Sequence, residues 1–350
     1  MLHDGLRTSR TSRASTWSPS ALVFTVLLTA CRGDVVTLGE KPPPTYHFGP
    51  PRLVTELAST SRSNNATLTA DLLEIYFSSS RDQNDLDIWT ASRASRLDPF
   101  TAPQKVRAVN SSRTDTGSAI SADGLTLWIA SDRRGMGTAG GLDIYVSTRS
   151  SRASEWTDPE LVSALNSPQF DIPRPPGQGG LTMPMGSERG PGSIYRSWFA
   201  TRETLSAPFD VAPQAIAELV FETTTTMDAF LSMDGLDIFY ASEPVNRASS
   251  AADASLPNAA DGSAPDASPS DASTSDAGSA DAGSNHISTD LFFGERVKVS
   301  HPFSGFRAIT ELNTPFEERD PWMSEDKTQF FFASDRGGNM NIYTSDVILK

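Results

Sequence analysis

A five-fold internal repeat constrains this chain more than any other feature of its sequence. Residues 121–133 read SADGLTLWIASDR, and related segments occur at 69–81, 181–189, 232–244 and 324–336. The segments share a serine column: Ser79, Ser131, Ser187, Ser242 and Ser334. Two residues later stand Arg81, Arg133, Arg189, Pro244 and Arg336. Such regular self-similarity indicates a fold built from one repeated supersecondary unit.

Two further blocks follow each copy of this segment. The first is Asp-aliphatic-aromatic at 87–89, 143–145 and 290–292, with drifted versions at 196–198 and 341–343. The second begins with an aromatic residue and ends with an aliphatic one, at 100–109, 156–165, 209–219 and 303–312. A fifth copy of the second block, residues 48–57, precedes all other repeat elements. The chain therefore begins with the block that its last unit lacks.

Each unit is predicted to contain four short antiparallel strands. Two of them flank the dipeptides Asp123-Gly124 and Asp234-Gly235, which favour tight hairpin turns. Four-stranded units at this period are typical of a β-propeller. We predict an all-β fold over residues 46–350, a five-bladed β-propeller of four-stranded antiparallel blades that is closed by the N-terminal strand.

The third unit departs from the pattern. It has Gly179-Gly180 in place of Asp-Gly, and its first strand contains Pro173, Pro175 and Pro176. Because proline donates no hydrogen bond to a β-ladder, we expect this inner strand to be irregular.

The N-terminus has the features of a secretion signal. Three arginines precede residues 21–30, a run of mostly apolar residues that would rise only about 15 Å as a helix, too short for a ~30 Å hydrocarbon core. The only cysteine, Cys31, follows Leu-Thr-Ala, and this tetrapeptide resembles the bacterial lipobox. We predict a signal peptide over 1–30, lipidation of Cys31, and a tether over 31–45 that includes three consecutive prolines.

Residues 248–285 interrupt the fourth unit. They consist almost entirely of Ser, Ala, Asp, Gly and Pro. Aspartate recurs there at every fifth position: Asp261, Asp266, Asp271, Asp276 and Asp281. Such a composition has no apolar surface to offset the entropy of ordering, so we predict a disordered insertion.

Charge and composition argue against several classes of function. The chain has 43 acidic and 29 basic residues and a net charge of -14, which opposes binding to nucleic acid. One cysteine and four histidines offer little for a zinc site, and no nucleotide-binding, zincin or serine-hydrolase motif occurs. We therefore expect no cofactor, no metal and no enzymatic activity.

Residues 121–145 combine Ser-x-Asp-Gly, an aromatic strand ending in Ser-Asp-Arg, and Asp-Ile-Tyr. This combination resembles the TolB-type, WD-repeat-like propeller repeats of bacterial envelope proteins. The resemblance implies a cell-envelope location and binding of a protein or ligand. We accordingly predict a monomeric, non-catalytic binding or scaffold lipoprotein. Its lipid anchor would hold it on the periplasmic side or the cell surface of the outer membrane, where one propeller face meets an envelope protein or a glycan.

The alternative is a glycosidase-like or lectin-like five-bladed propeller that acts on carbohydrate. The position six residues before each hairpin turn holds Asn65, Gly117, Pro173, Asp228 and Asp320. Asp228 and Asp320 belong to adjacent units, and a glycosidase needs two carboxylates at a defined separation. The recurring Arg and Asp columns are instead interpreted as structural, through pairs such as Arg81 with Asp87 and Arg133 with Asp143.

Overall fold

The computed structural model describes residues 46–82, 85–209, 211–222, 224–244 and 288–349. These ranges contain β-strands and three 3-10 turns, at Ser163–Leu165, Pro191–Ser193 and Ala217–Leu219, and no α-helix. The predicted signal peptide (1–30), tether (31–45), lipidation site Cys31 and insertion (248–285) lie outside the described residues.

The strands form five antiparallel sheets. Two short strands come first, β1 (Tyr46–Phe48) and β2 (Arg52–Leu53). The first blade contains β3 (Ser63–Leu68), β4 (Glu74–Ser79), β5 (Asp87–Ser92) and β6 (Gln104–Lys105). The second contains β7 (Asp115–Ile120), β8 (Thr126–Ser131), β9 (Asp143–Thr148) and β10 (Glu160–Leu161).

The remaining three blades continue in chain order. The third contains β11 (Asp171–Pro173), β12 (Thr182–Ser187), β13 (Arg196–Thr201) and β14 (Gln214–Ala215). The fourth contains β15 (Thr224–Leu231), β16 (Asp237–Pro244), β17 (Asp290–Glu295) and β18 (Ser304–Ala308). The fifth contains β19 (Glu318–Met323), β20 (Gln329–Ser334) and β21 (Asn341–Leu349). The predicted five-bladed propeller of four-stranded antiparallel blades is confirmed.

The N-terminal strands complete the fifth blade. Strand β21 pairs with β1 through Phe48 and Val347, and with β2 through Arg52 and Thr344. Strand β20 of this blade packs against β3 of the first, which closes the ring. The closing segment starts at Tyr46, two residues before the predicted block. Closure by the N-terminal strand is thus confirmed, and it covers the edge of β21 that would otherwise be open.

Side-chain hydrogen bonds explain the Ser-x-Asp-Gly motif at the hairpin turns. Ser121 Oγ donates to Asp123 Oδ1 at 2.6 Å, and the same carboxylate oxygen accepts the backbone N–H of Leu125 at 2.9 Å. Gly124 then takes a left-handed conformation with φ of 75°, which glycine adopts without steric cost. Ser232 and Asp234 repeat the serine-aspartate bond at 2.6 Å.

The predicted pairs Arg81 with Asp87 and Arg133 with Asp143 are wrong. Arg133 instead forms an ion pair of 2.6 Å with Asp115, the first residue of the inner strand, and donates to Ser131 Oγ at 2.9 Å. The Asp143 carboxylate accepts the N–H of Ala139 in the loop before it. The Asp143 carboxylate thus binds the loop before its own strand, and Arg133 points back toward strand β7 and pairs with Asp115 there.

The other blades confirm the corrected pairing. Arg189 pairs with Asp171 at 2.5 Å, and Arg336 pairs with Glu318 at 2.9 Å. In the first blade, where the inner strand begins with Ser63, Arg81 donates to Leu57 O at 2.7 Å and to Ser63 Oγ at 3.3 Å. In these four blades the arginine ties the end of the second strand to the start of the first, whereas the fourth blade has Pro244 at this position.

Candidate functional site

The innermost strands place one sequence column at the propeller axis. In four blades the register of the inner strand shifts at this position, which marks a β-bulge. The four residues there all have positive φ: Asn65 at 53°, Gly117 at 61°, Asp228 at 56° and Asp320 at 56°. Asparagine, aspartate and glycine are the residues that tolerate this left-handed conformation best. The column identified in the sequence is therefore a column of backbone bulges.

The third blade cannot form this bulge. Its residue at the same position is Pro173, whose ring fixes φ at a negative value, and β11 pairs in regular register with β12. The strand ends there after three residues, although the blade retains four strands. The next residue, Arg174, sends its side chain into the axis, where only 1% of its surface is exposed.

Arg174 joins three blades at the axis. Its Nη1 donates to Asn65 Oδ1 and to Asp320 Oδ1, both at 3.0 Å, and its Nη2 donates to Pro321 O at 3.1 Å. The second oxygen of Asp320 accepts the N–H of Asn65 at 3.0 Å. Asp320 is 2% exposed, so this ion pair is shielded from solvent. A buried pair of this kind depends on both partners, because either charge alone is costly to bury.

Asp228 belongs to the same axial cluster but has fewer partners. Its Oδ2 lies 3.6 Å from Nε of Arg319 and accepts no hydrogen bond among the described residues. Burial, together with the nearby charge of Asp320, raises the pKa of Asp228 to about 6, although Arg319, Arg174 and Arg62 act in the opposite direction. The two carboxylates proposed for the carbohydrate-active alternative thus lie in one buried network, with different partners.

Farther along the same inner strands, the axis becomes apolar. A depression there is open to solvent and has a volume of about 40 Å³. All five blades contribute to its lining, which consists of Leu68, Ala70, Ile120, Ala122, Pro175, Pro176, Phe230, Leu231, Met233, Trp322, Met323 and Glu325. Glu325 is the only charged residue in this lining. This site was not predicted from the sequence, although its residues follow the axial column by two to five positions in all five blades.

Packing and backbone contacts fix the wall of the depression. The rings of Phe230 and Trp322 pack with their centroids 6.0 Å apart. The turn after the two prolines lies directly on the fourth blade, since a Cβ atom on Gly177 would come within 2.3 Å of Leu231 O. Gln178 donates its N–H to Ser232 O at 3.0 Å in the same place. These contacts make the site largely preformed.

Ion pairs cross three of the five junctions between neighbouring blades beside the depression. Arg152 of the second blade pairs with Asp71 of the first at 2.5 Å. Arg96 of the first blade pairs with Asp326 of the fifth. Lys327 of the fifth blade contacts both Asp234 and Asp237 of the fourth at 2.6 Å. The apolar centre is therefore bordered by a polar rim at the first, second, fourth and fifth blades.

A second arginine column, which sequence analysis missed, supports this rim. The guanidinium groups stack on aromatic rings at 4.3 to 4.7 Å in the pairs Arg93–Phe100, Arg149–Trp156, Arg202–Phe209 and Arg296–Phe303. Each arginine also donates to a carbonyl of its own hairpin turn, as Arg149 does to Gly124 O at 2.7 Å. In all four pairs the aromatic residue follows the arginine by seven positions, and this constant spacing was visible in the sequence.

The described part of the chain contains no group of three or more His, Cys, Asp or Glu side chains placed to hold a metal ion. The same ranges include no helix that is long and apolar enough to cross a membrane.

Fold and site together define a five-bladed β-propeller whose axis carries a buried Arg-Asp-Asn network and, on one face, an apolar depression. Solved structures with a similar fold include a putative TolB from Agrobacterium tumefaciens, 12% identical, with 83% of this chain and 78% of that chain covered and a TM-score of 0.44. TolB from Acinetobacter baumannii is 11% identical, with coverages of 87% and 63% and a TM-score of 0.43.

An α-L-arabinofuranosidase from Podospora anserina is also similar, at 8% identity, with coverages of 87% and 97% and a TM-score of 0.44. These are similarities of fold. No protein-family model matches the chain. No curated protein matches it either.

Proposed function

We propose that this protein is a non-catalytic binding module whose partner docks on the propeller face that contains the apolar depression. The observation that carries the proposal is the depression itself, an apolar centre built by all five blades and bordered by ion pairs. An apolar pocket surrounded by polar contacts that exclude water is the arrangement found at the energetic centres of protein interfaces.

The chemistry of the lining supports binding rather than a reaction. Its walls are aliphatic, proline and aromatic side chains, and its one titratable group is Glu325. General acid-base and nucleophilic catalysis need a second positioned group. The depression admits the end of one apolar side chain, and each CH₂ group buried there contributes about 0.8 kcal/mol.

The proposal includes the predicted location of the protein in the cell. Cys31 after Leu-Thr-Ala would carry a lipid and hold the module in the cell envelope, on the periplasmic side or the cell surface of the outer membrane. The partner would then be an envelope protein or a glycan reached from the anchored propeller.

A second candidate function is carbohydrate hydrolysis through Asp228 and Asp320. It is favoured by one observation, the pKa of Asp228, which burial raises to about 6, because a carboxyl group with a raised pKa can act as a general acid. Against it stand the contacts of Asp320, whose two oxygens are already occupied by Arg174 and by the N–H of Asn65.

One experiment compares the two functions. Ala122→Trp would fill the depression, whereas Ala153→Trp, in an exposed loop of the second blade, is the matched control. The binding function predicts that envelope partners captured by the wild type and by Ala153→Trp are lost with Ala122→Trp. Turnover of chromogenic glycosides that Asp228→Asn or Asp320→Asn abolishes would support hydrolysis and contradict the binding proposal.

A further inference from the structure

We infer that the depression binds a peptide segment of a protein partner, through the end of one apolar side chain flanked by lysine or arginine. This inference rests on the proposed function and specifies the chemistry of the partner at the same site.

Two carboxylates beside the depression, Asp123 and Glu325, have no ion-pair partner among the described residues, and only Glu325 lines the depression. Asp71, Asp234 and Asp326 each have a basic partner from another blade. Glu325 lines the depression, is exposed, and has no ion-pair partner within the residues that the structure describes. A cation on the ligand would complement this charge, and the net charge of -14 on the whole chain acts in the same direction.

The same features exclude other ligand classes. A glycan needs several hydrogen-bonding groups. The side chains that line the depression offer only two, the carboxylate of Glu325 and the indole N–H of Trp322. A fatty acid or another amphipathic anion would bring its negative charge toward Glu325 and the acidic chain. A peptide supplies both required groups, since an apolar side chain fills the centre and a neighbouring basic side chain reaches the rim.

The volume also limits how much of a peptide enters. Its volume of about 40 Å³ admits the end of one apolar side chain, with the rest of the peptide lying on the rim. Because Arg174 and its partners close the axis beneath, the peptide cannot thread through the propeller. The peptide therefore binds through one apolar side chain in the depression and one neighbouring basic side chain at the rim.

The test is selection of phage-displayed random dodecapeptides on the immobilised full chain, in parallel with Ala122→Trp. We expect peptides enriched only on the wild type to contain Leu, Ile, Met, Phe or Trp within two residues of Lys or Arg. Synthetic versions should bind about fivefold more weakly to Glu325→Lys, the size expected for reversal of one rim charge. They should bind equally to Glu203→Lys, which reverses an exposed charge in a loop outside the depression.

Enriched peptides without a basic residue, or equal binding to Glu325→Lys, would overturn the inference while the proposed binding face remains. The absence of any enrichment that Ala122→Trp removes would also overturn it. Peptides that bind Ala122→Trp as well as the wild type would overturn both the inference and the proposed function. Circular dichroism of each variant confirms that the fold is retained.

Discussion

Tyr46 donates a hydrogen bond of 2.6 Å from its hydroxyl group to Asp237 Oδ2, across 191 positions of sequence. The tyrosine is buried in β1 of the fifth blade, and the aspartate begins β16 of the fourth. Its ring packs edge-on against Phe293 with a centroid distance of 5.0 Å. The N-terminal strand is therefore held by a side chain inserted into the neighbouring blade as well as by strand pairing.

Tyr46→Phe should lower the free energy of unfolding by about 1.5–3 kcal/mol, the range for a hydrogen bond to a charged group. The ring contacts remain in this variant, so the loss of stability measures the contribution of the hydroxyl group alone. Urea unfolding gives the value. Tyr343→Phe is the control, because its hydroxyl donates no side-chain hydrogen bond among the described residues. Equal losses for the two variants would show that the bond to Asp237 contributes nothing specific.

Removal of residues 1–60 should be far more damaging than either substitution. It deletes both β1 and β2 and leaves the edge of β21 unpaired. We expect an insoluble or unfolded product, measured as soluble yield and thermal unfolding. A truncated chain with unchanged melting behaviour would contradict the role of these strands in closing the ring.

Arg174→Met and Asp320→Asn should each lower stability by about 3–5 kcal/mol, because each leaves the other charge buried without its partner. The double variant should lose clearly less than the sum of the two. Urea unfolding of all four proteins completes the double-mutant cycle. Additivity within about 0.5 kcal/mol would mean that the two charges are not coupled.

Stability should increase as the pH falls from about 7 toward 5. The folded protein holds a proton on Asp228 below pH 6, whereas the unfolded chain ionises this group down to its ordinary pKa of 3.8. The destabilisation from the buried charge is therefore present at neutral pH and is relieved through this window. Asp228→Asn should raise the melting temperature at pH 7 and flatten its pH dependence in scanning calorimetry. A steeper dependence in this variant would contradict the assignment.

Cys31→Ala should release the protein from the membrane fraction, because lipidation at this cysteine is the predicted anchor. Cell fractionation followed by immunoblotting measures the distribution. A serine substitution within the tether, Thr37→Ser, is the control for an effect of mutation near the cleavage site. Unchanged membrane retention of Cys31→Ala would refute the anchor.

Excision of residues 248–285 with a short Gly-Ser bridge should leave thermal stability nearly unchanged. Strand β16 ends at Pro244 and β17 begins at Asp290, so both ends of the segment meet the same pair of adjacent strands. Closure entropy changes by only about 0.6 kcal/mol for each doubling of loop length. A large loss of stability would mean that the acidic repeat packs on the propeller.

The sequence predicted the blades well because their strands and turns are encoded locally, in motifs such as Ser121-Ala-Asp123-Gly124 that recur at a fixed period. The axial column was also visible, since Asn65, Gly117, Asp228 and Asp320 share one position in the repeat. Its meaning as a row of bulges was not visible, because a positive φ follows from backbone geometry and not from the order of residue types.

Arg174 was missed for a related reason. The prolines around it predicted only an irregular strand, and nothing in one sequence shows that its side chain reaches Asn65 and Asp320 in two other blades. The apolar depression was missed because its residues are ordinary core types until the ring brings them together. Contacts between blades form only when the ring closes, and the sequence of a single repeat carries no information about them.

The left-handed backbone at the axis restricts which amino acids an evolving propeller can use there. A β-branched or bulky residue at the positions of Asn65, Asp228 or Asp320 would meet steric strain whatever its chemistry. At Gly117 the limit is stricter, because an added Cβ would lie 2.6 Å from Ile172. In the third blade, where Pro173 replaces the bulge and the inner strand is only three residues long, the next residue, Arg174, brings a guanidinium group to Asn65 and Asp320.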